Sequence, residues 1–287
     1  MSDPWPAPAK LNLFLHVIGR RADGFHEIQT LYQLVALEDR LHFTLREDGE
    51  IRRAAGPVEI SEADDLCLRA ARMLQAKARV RQGADIGLEK RIPVQGGLGG
   101  GSSDAATTLV ALNALWQTGF DVTKLAALGL SLGADVPLFV HGRSAWAEGI
   151  GERLTPVELP AQYFAIIWPG IGLRTAEVFQ APELTRKTPK TTIRGFLRAG
   201  GRNDCEPVAA GRSPEVAKAL GWLAKRGEAR LTGTGSCVFA PFADCETAEA
   251  ALADLPGKWR GFVARGLDRS PLQERLAAEH SRASGTV

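Results

Sequence analysis

Between Pro93 and Ala106 the chain reads PVQGGLGGGSSDAA, five glycines in fourteen residues with an apolar-striped segment directly behind them. Glycines lack a Cβ, so this backbone can reach positive φ and approach a ligand closely. Ser102 and Ser103 stand where a helix N-cap belongs, which predicts a helix over Asp104 to Trp116 with Leu109, Leu112, Leu115 and Trp116 on its apolar stripe. Backbone N–H groups and the helix dipole would then converge on one point, a ready site for a phosphate. Two familiar phosphate loops are excluded by the letters. No lysine follows these glycines as Walker A requires, and in neither register does GxGxxG close on a glycine: Ser102 or Asp104 stands there instead. Asp104 suits the dipole but would repel a phosphate, so it either turns away or helps to hold water around a metal.

The flanking pattern mixes strands and helices without strict alternation, which gives the class α+β. Period-two alternation from Ala9 to Val17 predicts a strand with Lys10 and Asn12 on one face and the aliphatic row on the other. Asp23-Gly24 marks a turn, and a second strand runs from His26 to about Leu37. Further helices are expected over Asp64 to Ala78, Val122 to Leu132, Val216 to Lys225 and Cys245 to Ala253. Strands are expected over Ile86 to Lys90, Phe164 to Trp168 and Cys237 to Phe242, and the last nine residues read as polar and frayed. A length of 287 residues suggests about two domains. Pro156 and Pro160 separate two apolar runs, so the boundary is drawn between residues 1–156 and 157–287.

Composition narrows the function classes. With 45% apolar and 24% charged residues the chain can bury a core, and a formal net charge of +2 is far below that of a dedicated nucleic-acid binder. No apolar run approaches the ~18 residues of a membrane helix, and MSDPWPAPAK carries no signal-peptide core. The expectation is a cytoplasmic protein with no membrane or nucleic-acid partner. Cys67, Cys205, Cys237 and Cys245 form no CxxC pair and have no zinc spacing, so they read as reduced thiols, and no metal ligands are assigned.

The glycine segment resembles the second motif of the GHMP kinases. PAKLNLFLHV (Pro8 to Val17) resembles their first motif and RLTGTGSCVFA (Arg230 to Ala240) their third, in the family's order. The resemblance implies a two-domain fold with the active site in the cleft between an ATP-binding half, 1–156, and a substrate-binding half, 157–287. It assigns ATP to Pro93, Val94, Gln95, Gly96, Gly97, Leu98, Gly99, Gly100, Gly101, Ser102 and Ser103, and implies Mg²⁺ without naming its ligands. PAKLNLFLHVIGRRADGFHEIQT (Pro8 to Thr30), the triple glycine and LGADVPLFVHG (Leu132 to Gly142) narrow the match further. They resemble the branch that phosphorylates a 2-hydroxyl on an acceptor carrying a cytidine diphosphate group, on the non-mevalonate route to isoprenoid precursors. The alternative is a mevalonate- or homoserine-type acceptor.

By chemistry alone, Lys10 reads as a solvated strand residue and Asp135 as a turn residue. Both fall on the family's catalytic lysine and aspartate. Phosphoryl transfer needs positive charge near the equatorial oxygens, and a carboxylate beside an ammonium can accept or align the attacking hydroxyl's proton. Asn12 would help to hold the substrate. Phe25 and His26 fall on positions that grip cytosine, with phenylalanine where the family usually has tyrosine, and Phe179 falls on a second stacking aromatic. The basic run Arg186, Lys187, Lys190, Arg194 and Arg198 reads as a solvated face.

Overall fold

The computed structural model describes residues 3–57 and 60–284. Two long strands, β1 (Trp5–Arg20) and β2 (His26–Arg46), form an antiparallel hairpin around the turn at Asp23-Gly24. Both outrun the predicted lengths because the alternation of buried side chains continues through Trp5, Ala7, Leu41 and Phe43. β1 has β2 as its partner along its length and carries Pro6 and Pro8, residues that an edge strand tolerates. Lys10, which by chemistry alone reads as a solvated strand residue, is buried together with Asn12, because both faces of β1 are covered here. The glycine segment covers this strand: the Lys10 N–H donates to the Leu98 carbonyl at 3.0 Å.

The first half continues through β3 (Ile51–Ala55), α1 (Leu66–Ala78), β4 (Gly83–Glu89), α2 (Gly100–Leu115), α3 (Val122–Leu130), α4 (Val136–His141), β5 (Ala145–Glu148) and β6 (Arg153–Pro156). The second half holds β7 (Tyr163–Trp168), α5 (Thr175–Gln180), α6 (Ile193–Ala199), α7 (Glu206–Arg212), α8 (Pro214–Leu223), β8 (Arg230–Leu231), β9 (Val238–Phe242), α9 (Cys245–Ala250), β10 (Arg260–Leu267) and α10 (Pro271–Ser284). β2 organises them. Away from β1 it pairs in turn with β5 at Thr30 to Tyr32, β10 at Leu34 and Val35, and β4 from Arg40 to Arg46. β10 also pairs with β7, so one sheet in the order β3-β4-β2-β10-β7-β9-β8 joins the halves.

Helices α1 to α4 cover the first half around Leu34, Leu68, Leu109, Val136 and Phe139, and Leu272 of α10 returns to that same core. A second core gathers Val17, Ile167, Val208, Leu223 and Trp259. Between them, Leu11, Ile92, Leu98, Phe164 and Phe239 form a smaller cluster drawn from both halves. The C-terminus departs from its reading, because α10 runs through Ser284; residues 285–287 lie outside the described residues. Among the described residues no helix is long and apolar enough to cross a membrane.

The start of α2 also differs. The helix begins at Gly100, four residues before the expected start, and its cap is Gly99 at φ 72° with no side-chain capping bond. Ser102 and Ser103 therefore lie inside the first turn rather than capping it. A glycine at 99 lets the chain reverse through left-handed backbone straight into the helix, so no serine is needed.

Candidate active site

The glycine segment is held from below by the turn between β8 and β9. The Cys237 N–H donates to the Gly96 carbonyl at 3.0 Å, and the Thr232 hydroxyl donates to the Gly97 carbonyl at 3.3 Å. Gly97 has φ 77°, and a Cβ there would overlap the Thr232 carbonyl. Gly99 is equally confined, since its Cβ would sit 2.9 Å from the Phe139 ring and 3.1 Å from Lys10 Cε. These contacts hold the helix N-terminus of α2 against β1.

Lys10 projects into that junction. Its Nζ donates to Asn12 Oδ1 at 2.5 Å and to the Gly97 carbonyl at 3.0 Å, and it lies 3.5 Å from Asp135 Oδ2. Asn12 is fixed in turn, its Nδ2 donating to Thr30 Oγ1 at 2.8 Å and its N–H to Thr232 Oγ1 at 3.0 Å. Asp135 stands at the N-terminus of α4 but makes no capping hydrogen bond. Its carboxylate meets the Tyr32 hydroxyl instead, which donates to Oδ1 at 2.8 Å. Lys10 and Asn12 are buried, while the Asp135 side chain stays 29% exposed toward the cleft. That combination supplies an ammonium, a reachable carboxylate and a row of backbone amides at one point.

The cleft around them has a volume of about 560 Å³. One end is apolar, lined by Pro57, Ile60, Leu66 and Leu88; the other carries Leu15, Ile28, Ile150 and Phe179. Among the described residues no three or more His, Cys, Asp or Glu side chains are grouped to hold a metal ion. Magnesium is commonly held by substrate phosphates with one or two protein oxygens, and the Ser102 hydroxyl, which lines the cleft, fits that partial role.

Beneath the glycine segment lies a group that the sequence reading missed. Lys90 Nζ donates to Asp39 Oδ2 and to Asp104 Oδ2, both at 2.6 Å, and the other oxygen of Asp39 accepts the Arg91 and Ile92 N–H groups. Asp104 thus turns inward, away from any phosphate, and its Oδ1 is buried without a partner. Burial pushes the Asp104 carboxyl up to about 8 despite the pull of Lys90. For Lys90, burial opposes the charge, but the Asp104 and Asp39 carboxylates outweigh it and hold the ammonium above its ordinary value. The signal was present: a lysine three residues before the glycine segment's proline has no reason to be solvated at the end of a buried strand.

The proposed pyrimidine contacts divide. His26 and Phe179 meet, stacked with centroids 5.1 Å apart and planes at 23°. Phe25 sits in the turn before β2 with its ring 57% exposed. Arg186, read as solvated, is instead a bracket: Nε donates to His26 Nε2 at 3.1 Å, while Nη2 donates to the carbonyls of Phe179 and Ala181. Burial first, then Arg186 and Arg20, lowers the His26 pKa. With Nε2 accepting, neutral His26 carries its proton on Nδ1, which leaves that nitrogen as the donor.

Comparison with known proteins agrees with this geometry. Residues 65–143 match the GHMP kinases N terminal domain and residues 184–261 the GHMP kinases C terminal family. A 4-diphosphocytidyl-2-C-methyl-D-erythritol kinase of Halorhodospira halophila is 56% identical over 277 residues, covering 95% of this chain and 96% of that protein. One from Alkalilimnicola ehrlichii is 55% identical over 280 residues, covering 97% and 96%. A crystal structure of a 4-(cytidine 5'-diphospho)-2C-methyl-D-erythritol kinase superposes with a TM-score of 0.81 at 35% identity, covering 92% of this chain and 99% of that one. A mevalonate kinase structure shares the fold, with a TM-score of 0.67 at 15% identity.

Proposed function

The chain belongs to the 4-diphosphocytidyl-2-C-methyl-D-erythritol kinases, a branch of the GHMP kinases, and from that membership we propose how its own residues divide the reaction. It is an ATP-dependent phosphotransferase acting on the 2-hydroxyl of 4-diphosphocytidyl-2-C-methyl-D-erythritol, on the non-mevalonate isoprenoid route. The observation that carries the assignment of roles is the Lys10–Asp135 approach of 3.5 Å beside the glycine segment. The new O–P bond forms on the acceptor as the bond to ADP breaks, and the hydroxyl proton is directed to Asp135. Lys10 offsets the charge gathering on the transferred group. Backbone N–H groups between Gly96 and Ser102 hold the phosphates, while Ser103, expected among them, is buried with its N–H donating to the Gly99 carbonyl; the apolar side chains of Pro57, Ile60, Leu66 and Leu88 receive the nucleotide base. Ser102 would hold Mg²⁺ together with the phosphates, and the ion would neutralise phosphate charge there.

The acceptor's alcohol is assigned to Asn12 and its cytosine to Phe25, His26 and Phe179. The reading gives the phosphate site to residues 1–156 and Phe179 with its Arg186 bracket to 157–287, and it is supported by a cleft that residues of both ranges line. The test offers 4-diphosphocytidyl-2-C-methyl-D-erythritol and mevalonate side by side and follows ADP release. The cytidyl compound alone should turn over. Phe25→Ala should raise its KM roughly 5- to 150-fold, matching about 1–3 kcal/mol of stacking, and leave the ATP KM unchanged. Turnover of mevalonate alone would refute the acceptor, and an unmoved KM in Phe25→Ala would remove that ring from the site.

A further inference from the structure

Tyr32 lies in the middle of β2 and is 1% exposed. Its hydroxyl donates to Asp135 Oδ1, while Oδ2 of the same carboxylate faces Lys10 Nζ. Burial first, and then the neighbouring carboxylates of Asp135 and Glu152, hold the phenol well above its ordinary pKa, so it stays protonated and serves as a donor. Lys10 Nζ also stands 5.4 Å above the centre of the Tyr32 ring. On the far side, the turn after β5 presses close: a Cβ at Gly151 would lie 2.7 Å from the Tyr32 oxygen. The phenol is thus confined by β1, β5 and its own strand, and its hydroxyl is aimed at one carboxylate oxygen.

Asp135 needs such a restraint. It makes no capping bond to α4 and is partly open to the cleft, so a carboxylate there could rotate and present either oxygen. We infer that Tyr32 is a positioning residue for the phosphoryl transfer: its hydroxyl occupies Oδ1 of Asp135 and so commits Oδ2 to the acceptor hydroxyl beside Lys10. The inference rests on the reading of Lys10 and Asp135 as the reacting pair.

Tyr32→Phe deletes one oxygen and keeps the ring that fills the core. It should lower kcat by ~10- to 100-fold, as a misplaced catalytic group does, with the KM for ATP and for acceptor within about twofold of wild type. Added to Asp135→Asn, the substitution should cost no further activity, since Tyr32 acts through that side chain. Incorporating 3-fluorotyrosine at position 32, which keeps the shape and the donating hydroxyl, should keep kcat within about twofold of wild type. Two results would overturn the inference while Asp135→Asn is inactive: a Tyr32→Phe kcat within twofold of wild type, or a full further loss in the double variant. A normal kcat in Asp135→Asn would instead remove the reacting pair itself, and Tyr32's role with it.

Discussion

At the scale of single residues, Asp104 shows how burial reverses an expectation drawn from a helix diagram. Its position in the first turn of α2 suggested a charge facing a phosphate, but the side chain points inward and shares one ammonium with Asp39. One ammonium does not neutralise two buried carboxylates, and Asp104 titrates near 8 rather than near its unperturbed 3.8. The sign follows from proton counts. Between about 4 and 8 the folded chain holds a proton at Asp104 that the unfolded chain has released, so this group's contribution to stability falls as pH rises through that window. Asp104→Asn keeps an acceptor for Lys90 and removes the titration. Melts from pH 5 to pH 8 should therefore show the variant gaining on wild type steadily as pH rises. Parallel curves would show that Asp104 stays ionised throughout.

Among the elements, the glycine segment is held from outside at Gly96, Gly97 and Gly99. Gly97 and Gly101 illustrate the difference between a glycine that the backbone requires and one that it does not. Gly97→Ala must adopt left-handed φ, which alone costs about 1–2 kcal/mol, and its Cβ would overlap the Thr232 carbonyl. It should lose more than ~2 kcal/mol in urea unfolding and weaken ATP and ADP alike, because the turn between β8 and β9 would be pushed off the loop. Gly101→Ala sits inside α2 with its nearest neighbour, Leu66 Cδ1, at an ordinary 3.5 Å. There alanine is the better helix former by about 0.5–1 kcal/mol, so the fold should be as stable or slightly more so. Equal losses in the two variants would mean that the loop is a flexible connector.

For the whole molecule, the halves are not independent in space. β10 hydrogen-bonds to β7 on one side and to Leu34 and Val35 of β2 on the other, and the chain then sends α10 back across the first half. Leu272 is fully buried among residues of α2, α4 and β1. Leu272→Ala, far from the cleft, should cost about 2–5 kcal/mol in denaturant unfolding, with the KM values for ATP and acceptor unchanged. A loss under ~1 kcal/mol would show that α10 is peripheral to the core it completes here.

What was legible in the letters was local. Lys10 and Asn12 fall on one side of a strand because side chains alternate with period two, and they do meet, 2.5 Å apart between Nζ and Oδ1. The glycine segment was readable as a close-approach loop because positive φ is a property of single residues. Motif order supplied the family. The rest depended on pairs distant in sequence. Nothing near Asp135 encodes that Tyr32 holds its carboxylate, nothing near Lys90 names Asp39 as its partner, and nothing near Arg186 points to His26. Nor could local alternation reveal that one edge of β2 takes three partners in turn or that α10 closes a core begun at Trp5. Such contacts form when apolar faces of remote segments are driven together and buried polar groups must find one another. Residue spacing fixes a local conformation, whereas the choice of distant partners is made by the packing of the whole chain.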